Sequence, residues 1–288
     1  LGGVIFALEQ LSRRRGMSHS ALVIASIVVA GLVAVSVFGN ATYFGRLRVQ
    51  EVSAELVLPG LIVAVVAGLS GGLFARLMVL SARGLPEIVG RWRREYPLRF
   101  GAVCGLLVAL IGLVTNGATA GAGYAPTRAM LEGQAEATGM FTVLKFVATA
   151  LSAASGVPAG VFAPSLTIGA GIGHDVAQWF ELVGAAAIPL IALGMVGFLA
   201  ASTQGPLTAF IIVMEMVAGH AMVLSLMACA LLAAALSRLV SAPMYTELAE
   251  LLPVPPRTLP PGAPRLLAPA PPAPAASDDP ARRGGPGA

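Results

Sequence analysis

Six stretches free of acidic and basic side chains, 16–45, 56–75, 100–127, 146–174, 182–214 and 216–237, constrain this chain more than any other feature. A bilayer core of roughly 30 Å needs about 20 apolar residues in helical form, and each stretch is that long or longer. Only 11% of the residues are charged while 57% are hydrophobic, against about 25% charge in an average soluble domain. An all-α, polytopic membrane protein follows. Glycine and proline interrupt the stretches at Pro59, Gly71 with Gly72, Gly156 to Pro164, Pro189, and Gly205 with Pro206. Such breaks predict discontinuous and re-entrant helices, because irregular backbone is tolerated at membrane depth only where protein or a water-filled cavity meets it.

Charge between the stretches alternates. Arg13, Arg14 and Arg15 follow the first helix, and five arginines outweigh two glutamates between Arg83 and Arg99. The segments around Arg46 and Arg128 carry no positive excess. By the positive-inside rule the first and third connections face the cytoplasm and the second and fourth the outside. The formal net charge of +4, with no basic stripe beside aromatics, excludes a nucleic-acid partner. Cys104 and Cys229 each stand alone in an apolar run, which excludes a disulfide framework or a zinc knuckle and implies no metal. From Pro253 the composition changes, with 12 of the 21 prolines in the last 36 residues. The reading is therefore a membrane domain over 1–252 and a Pro/Ala-rich disordered tail over 253–288. A start at Leu1, without an initiator Met or a signal peptide, reads as a beginning in mid-protein.

Three units can carry chemistry. The first, SGVPAGVFAPSLTIGAGIG from Ser155, holds too much Gly and Pro for one continuous helix, so the chain must unwind and restart inside the membrane. The N–H groups of a new first turn have no intrahelical acceptor, and the positive helix end favours an anion. In this reading Val161 and Phe162 present N–H groups, Gly160 gives room for the ion, and Pro164 sits where a missing N–H costs nothing. A kinked helix packed through small residues fits the spacing as well. The second, GPLTAFIIVMEM from Gly205, repeats the Gly-Pro start and contains Glu215, a functional candidate in an apolar setting or a structural cap. The third, SAPMYTEL, places Tyr245 after a long helix, either as a neutral O–H donor to an anion or as an aromatic-belt residue. Near the start, Glu9 and Gln10 end the first helix. Glu9 could handle protons or pair with Arg13 one turn on. Lys145 could attract anions or snorkel to the interface.

GGVIFALEQ, GAGY at Gly121 to Tyr124, GVFAP, GPLTAFIIVMEM and SAPMYTEL, in that order, resemble the chloride channel (CLC) family of anion channels and chloride/proton antiporters from Leu1 to about Leu252. The resemblance implies two inverted repeats per subunit, each subunit with its own pore, and a homodimer. The chain would hold the end of the first repeat and all of the second. Chloride, or another small anion, is then the transported ligand. It is bound by the Val161 and Phe162 N–H groups and the Tyr245 hydroxyl, with Gly160 and Pro164 supporting the backbone. No cofactor or enzymatic activity is implied, and the setting is a bacterial-type inner membrane in contact with lipid. Two further loops of the family, GSGIP and GREGP, are expected before Leu1. Antiporter members carry glutamate at the position of Gln10. An amide does not titrate in the physiological range, so any proton route here involves Glu9 and Gln10 in an altered form. An intramembrane hydrolase using Ser155, Ser165 and His174, or a non-transporting scaffold, are the alternatives.

Overall fold

A computed structural model describes residues 2–11, 20–39, 54–85, 87–134, 139–217 and 220–251. The Pro-rich tail and the arginines at 13–15 lie outside them. The helices are α1 (Gly2–Phe6), continued by a π-helical turn over Ala7–Leu11, α2 (Ser20–Phe38), α3 (Val57–Arg83), α4 (Glu87–Glu95), α5 (Pro97–Val114) and α6 (Tyr124–Leu131). They continue with α7 (Gly139–Ala154), α8 (Phe162–Trp179), α9 (Ile188–Thr203), α10 (Pro206–Val217), α11 (Val223–Val240) and α12 (Met244–Leu251). Among the described residues there is no strand. Among the described residues four segments, Val57–Arg83, Pro97–Val114, Gly184–Thr203 and Val223–Val240, are long and apolar enough to cross a bilayer. The fold is that of an all-α polytopic membrane protein.

At the centre lies α9. Every residue from Pro189 to Thr203 is buried, as expected of a helix apolar on all sides. α3, α8, α10 and α11 pack around it. Burial against protein gains little over burial against lipid tails, so close approach and buried hydrogen bonds must hold these helices together. At the α8–α9 crossing Gly169 and Gly173 oppose Gly194, and a methyl group on any of them would meet the partner helix's backbone. Across α9 and α11 the Ser237 hydroxyl donates to the Ala201 carbonyl at 2.6 Å, and the Cys229 thiol donates to the Leu193 carbonyl at 3.3 Å. Bonds of this kind contribute about 0.6 kcal/mol each on average in a membrane. The outer faces of α2 and α5 remain apolar and exposed, with Val37 at 68% and Leu113 at 75%.

Three expected breaks do not interrupt a helix. α3 runs unbroken through Pro59, Gly71 and Gly72. Pro59 falls in its first turn, where no intrahelical N–H bond is lost. The two glycines admit neighbouring helices: a side chain on Gly71 would strike Ala201, and one on Gly72 the Ser237 backbone. Pro189 likewise stands at the start of α9. The other breaks are real. The chain leaves helix between Ala154 and Phe162, between Thr203 and Pro206, and between Val240 and Met244.

Candidate anion-binding site

The break before α8 ends at Val161, which caps the helix from αR geometry without a side-chain hydrogen bond. Ser165 is the residue whose N–H bonds back to the Val161 carbonyl, at 3.0 Å. Ahead of it, Phe162 and Ala163 sit in the first turn, where N–H groups have no intrahelical acceptor, and Pro164 has no N–H to lose. A methyl group on Gly160 would meet nothing within 4 Å. The glycine therefore leaves open space in front of the helix start rather than relieving a clash.

Phe6 joins this break to the third unit. Its ring lies edge-on to Phe162 at 5.1 Å between centroids and edge-on to Tyr245 at 5.6 Å. Val161 and Tyr245 also pack against one buried cluster that includes Phe74, Ile168, Phe198 and Met244. Residues 84 positions apart in sequence thus border one locus, and the Tyr245 hydroxyl makes no hydrogen bond to any described residue. Phe6 was not legible in the sequence, because a phenylalanine in an apolar segment carries no chemistry of its own beside the polar Glu9 and Gln10.

Glu9 and Gln10 both reach the break between α9 and α10. The Glu9 carboxylate accepts hydrogen bonds from the Thr208 N–H at 2.7 Å, the Thr208 hydroxyl at 2.7 Å and the Leu207 N–H at 3.3 Å. It caps α10 from a distant part of the chain and complements that helix's positive end. The Gln10 amide donates to the Thr203 carbonyl at 3.4 Å. Arg13, the expected ion-pair partner of Glu9, lies outside the described residues. Glu215 accepts the Gly2 N–H at 3.0 Å, so it caps the start of α1.

Lys145 does not snorkel. It is 2% exposed in the middle of α7, and its ammonium donates to the Thr119 carbonyl at 2.8 Å and the Gly121 carbonyl at 2.7 Å. GAGY has a local task in the same region. Gly123 adopts φ 85° at the start of α6, where its backbone meets the Thr167 hydroxyl, which donates to the Ala122 carbonyl at 3.0 Å. A left-handed position in contact with a threonine requires glycine. The hydrolase alternative finds no geometry: Ser165 and His174 lie nine residues apart on α8, about 13 Å along its axis. The Ser155 hydroxyl is turned to the Ser152 carbonyl at 2.6 Å.

The fold defines an all-α polytopic membrane protein in which Phe6 joins the helix restart at Phe162 to the ring of Tyr245. The sequence profile of the voltage gated chloride channel family matches residues 1–238, and the chain belongs to that family. A ClcB protein of Citrobacter koseri, named a voltage-gated ClC-type chloride channel, is 32% identical over 251 residues, covering 83% of this chain and 57% of its own length. Its Escherichia coli (strain SMS-3-5 / SECEC) namesake is 30% identical over 247 residues, with the same two coverages. The Cronobacter sakazakii protein named H(+)/Cl(-) exchange transporter ClcA is 27% identical over 270 residues, covering 86% of this chain and 55% of itself. The chain thus spans somewhat more than half the length of these relatives.

Proposed function

We propose that the protein to which this chain belongs moves chloride or similar small anions across a membrane, with the central anion held by the Val161 and Phe162 N–H groups and the Tyr245 hydroxyl. The observation that carries this reading is the Phe6 ring seated between Phe162 and Tyr245, which gathers the helix start and the phenol at one locus. Neutral N–H and O–H donors suit a transported ion, since they replace part of its hydration shell without a contact charge that would trap it. Gly160 keeps the approach open and Pro164 fixes the turn. The family names of the relatives support chloride as the ion.

The mode of transport turns on Gln10. Relatives of both kinds exist by name, a channel and a proton-exchanging transporter. An amide neither takes up nor releases a proton, and Glu9 is engaged at the start of α10, so the reading favoured here is anion movement without stoichiometric proton coupling along this path. Homodimers in a bacterial inner membrane, arginine-rich connections on the cytoplasmic side, two inverted repeats and a disordered tail after Leu252 complete the proposal. The deciding experiment reconstitutes the full-length protein in liposomes and records chloride efflux and proton movement together. Chloride efflux with little proton movement is expected, and Gln10→Glu should tilt the balance towards coupling. Absence of anion flux from the folded protein refutes the reading. Robust native coupling that survives Glu9→Gln refutes the assignment of the proton route.

A further inference from the structure

Helix α4 connects the end of α3 to the start of α5, two helices long and apolar enough to cross a bilayer. Its nine residues reach about 13 Å, too short for a bilayer core of roughly 30 Å. It therefore lies at the membrane face where both spanning helices end. The Arg93 guanidinium ties it there, donating to the Ser81 carbonyl at 2.8 Å, and the Trp92 ring packs edge-on against buried Phe100 at 5.3 Å. What stays uncovered mixes charge with apolar surface. Arg91, Arg94 and Arg99 are exposed, as are Ile88 at 78% and Leu98 at 88%. From Glu87 to Arg99 four arginines outweigh two glutamates. Arg83 pairs with Glu247 and Arg128 with Glu132; among the described residues Arg91, Arg94 and Arg99 have no carboxylate within ion-pair distance. Arg99 lies over the Tyr96 ring, 5.0 Å from its centroid.

We propose that α4 and the first turn of α5 bind the headgroups of anionic phospholipids, with Arg91, Arg94 and Arg99 on phosphate oxygens and Ile88, Trp92 and Leu98 at the acyl boundary. This surface goes beyond the anion-transport reading and does not rest on it. Charge and position together name the occupant. A guanidinium fork matches phosphate oxygens in pairs, and apolar side chains beside the arginines are covered when they reach the headgroup and acyl boundary. An acidic soluble peptide would meet the charge but leave Leu98 uncovered at the start of a spanning helix. The topology proposed above puts this face on the cytoplasmic side, where anionic lipid gives the leaflet a negative surface potential and each nearby basic residue strengthens attachment by roughly fivefold. Three unpaired arginines, offset by Glu87 and Glu95, then give a preference of about tenfold or more for an anionic over a zwitterionic headgroup.

The test reconstitutes the full-length protein in phosphatidylcholine bilayers and adds a rising fraction of brominated phosphatidylglycerol or brominated phosphatidylcholine, each of which quenches indole fluorescence on contact. Subtracting the signal of Trp92→Phe isolates Trp92. In the native protein phosphatidylglycerol should half-quench Trp92 at about a tenfold lower mole fraction than phosphatidylcholine. The triple variant Arg91→Gln, Arg94→Gln, Arg99→Gln should lose that preference, and lysine at the same three positions should keep most of it. Salt of about 1 M, which shortens the screening length to about 3 Å, should weaken the preference in the native protein, so the test stays decisive if the glutamine variant fails to fold. Equal quenching by the two lipids overturns the proposal, as does a preference undiminished by the glutamine substitutions or by salt, or one lost equally with lysine. Displacement of the lipid by dissolved glycerol phosphate would give the site to a free phosphate instead. Capture of a polyglutamate peptide by the protein in detergent, without any lipid preference in bilayers, would give it to an acidic protein segment, and either result also overturns the proposal.

Discussion

Removing the Glu9 carboxylate tests whether this residue is a helix cap or a proton carrier. Glu9→Ala deprives two backbone N–H groups of the first turn of α10 of their acceptor, at 2.7 and 3.3 Å, and leaves the Thr208 hydroxyl without its 2.7 Å partner. Loss of an N-terminal cap costs about 0.5 to 2 kcal/mol. Loss of a negative charge at a helix N-terminus adds about 0.3 to 1 kcal/mol, at the lower end where water reaches the site. Together the two losses come to roughly 1 to 3 kcal/mol. Glu9→Gln keeps an acceptor oxygen and should lose only the charge contribution. Denaturant-induced unfolding of the detergent-solubilised full-length protein, compared among native, Glu9→Ala, Thr208→Val and the double variant, reads these values. Because Glu9 and Thr208 bond directly, the double variant should be less destabilised than the sum of the singles, by about 0.5 kcal/mol or more. Strict additivity would refute the cap. So would a Glu9→Gln protein of native stability whose proton movement vanished while chloride flux continued, since that pattern belongs to a proton carrier.

Tyr245→Phe should weaken chloride binding by about two- to tenfold, the worth of one neutral hydrogen bond of about 0.5 to 1.5 kcal/mol, with transport continuing; calorimetry and efflux on the same preparation check both. Gly160→Leu should leave the protein folded, because a Cβ there meets nothing within 4 Å, yet should lower chloride efflux by filling the approach to α8. Gly194→Ala should fail to yield folded protein in size-exclusion chromatography, because its methyl group would fall on the Gly169 backbone, which cannot rotate away as a side chain would.

The membrane class was legible in the sequence because charge-free length is a one-dimensional quantity: 20 apolar residues span a bilayer wherever they are placed. The restarts at Phe162, Pro206 and Met244 were legible for a related reason, since Gly and Pro limit the helix locally. Pro59 and Gly71 with Gly72 show where that logic ends. The same residue types leave α3 intact, because one falls in a first turn and the others admit Ala201 and Ser237, and neither circumstance is visible along the chain. The proposed donors Val161 and Phe162 follow from local backbone chemistry. That Phe6 bridges Phe162 and Tyr245, that Glu9 caps a helix about 200 residues away, and that Lys145 is buried against Thr119 and Gly121 were decided by tertiary packing alone. Each depends on distances between segments far apart in sequence, and hydropathy, spacing and charge order carry no term for such distances.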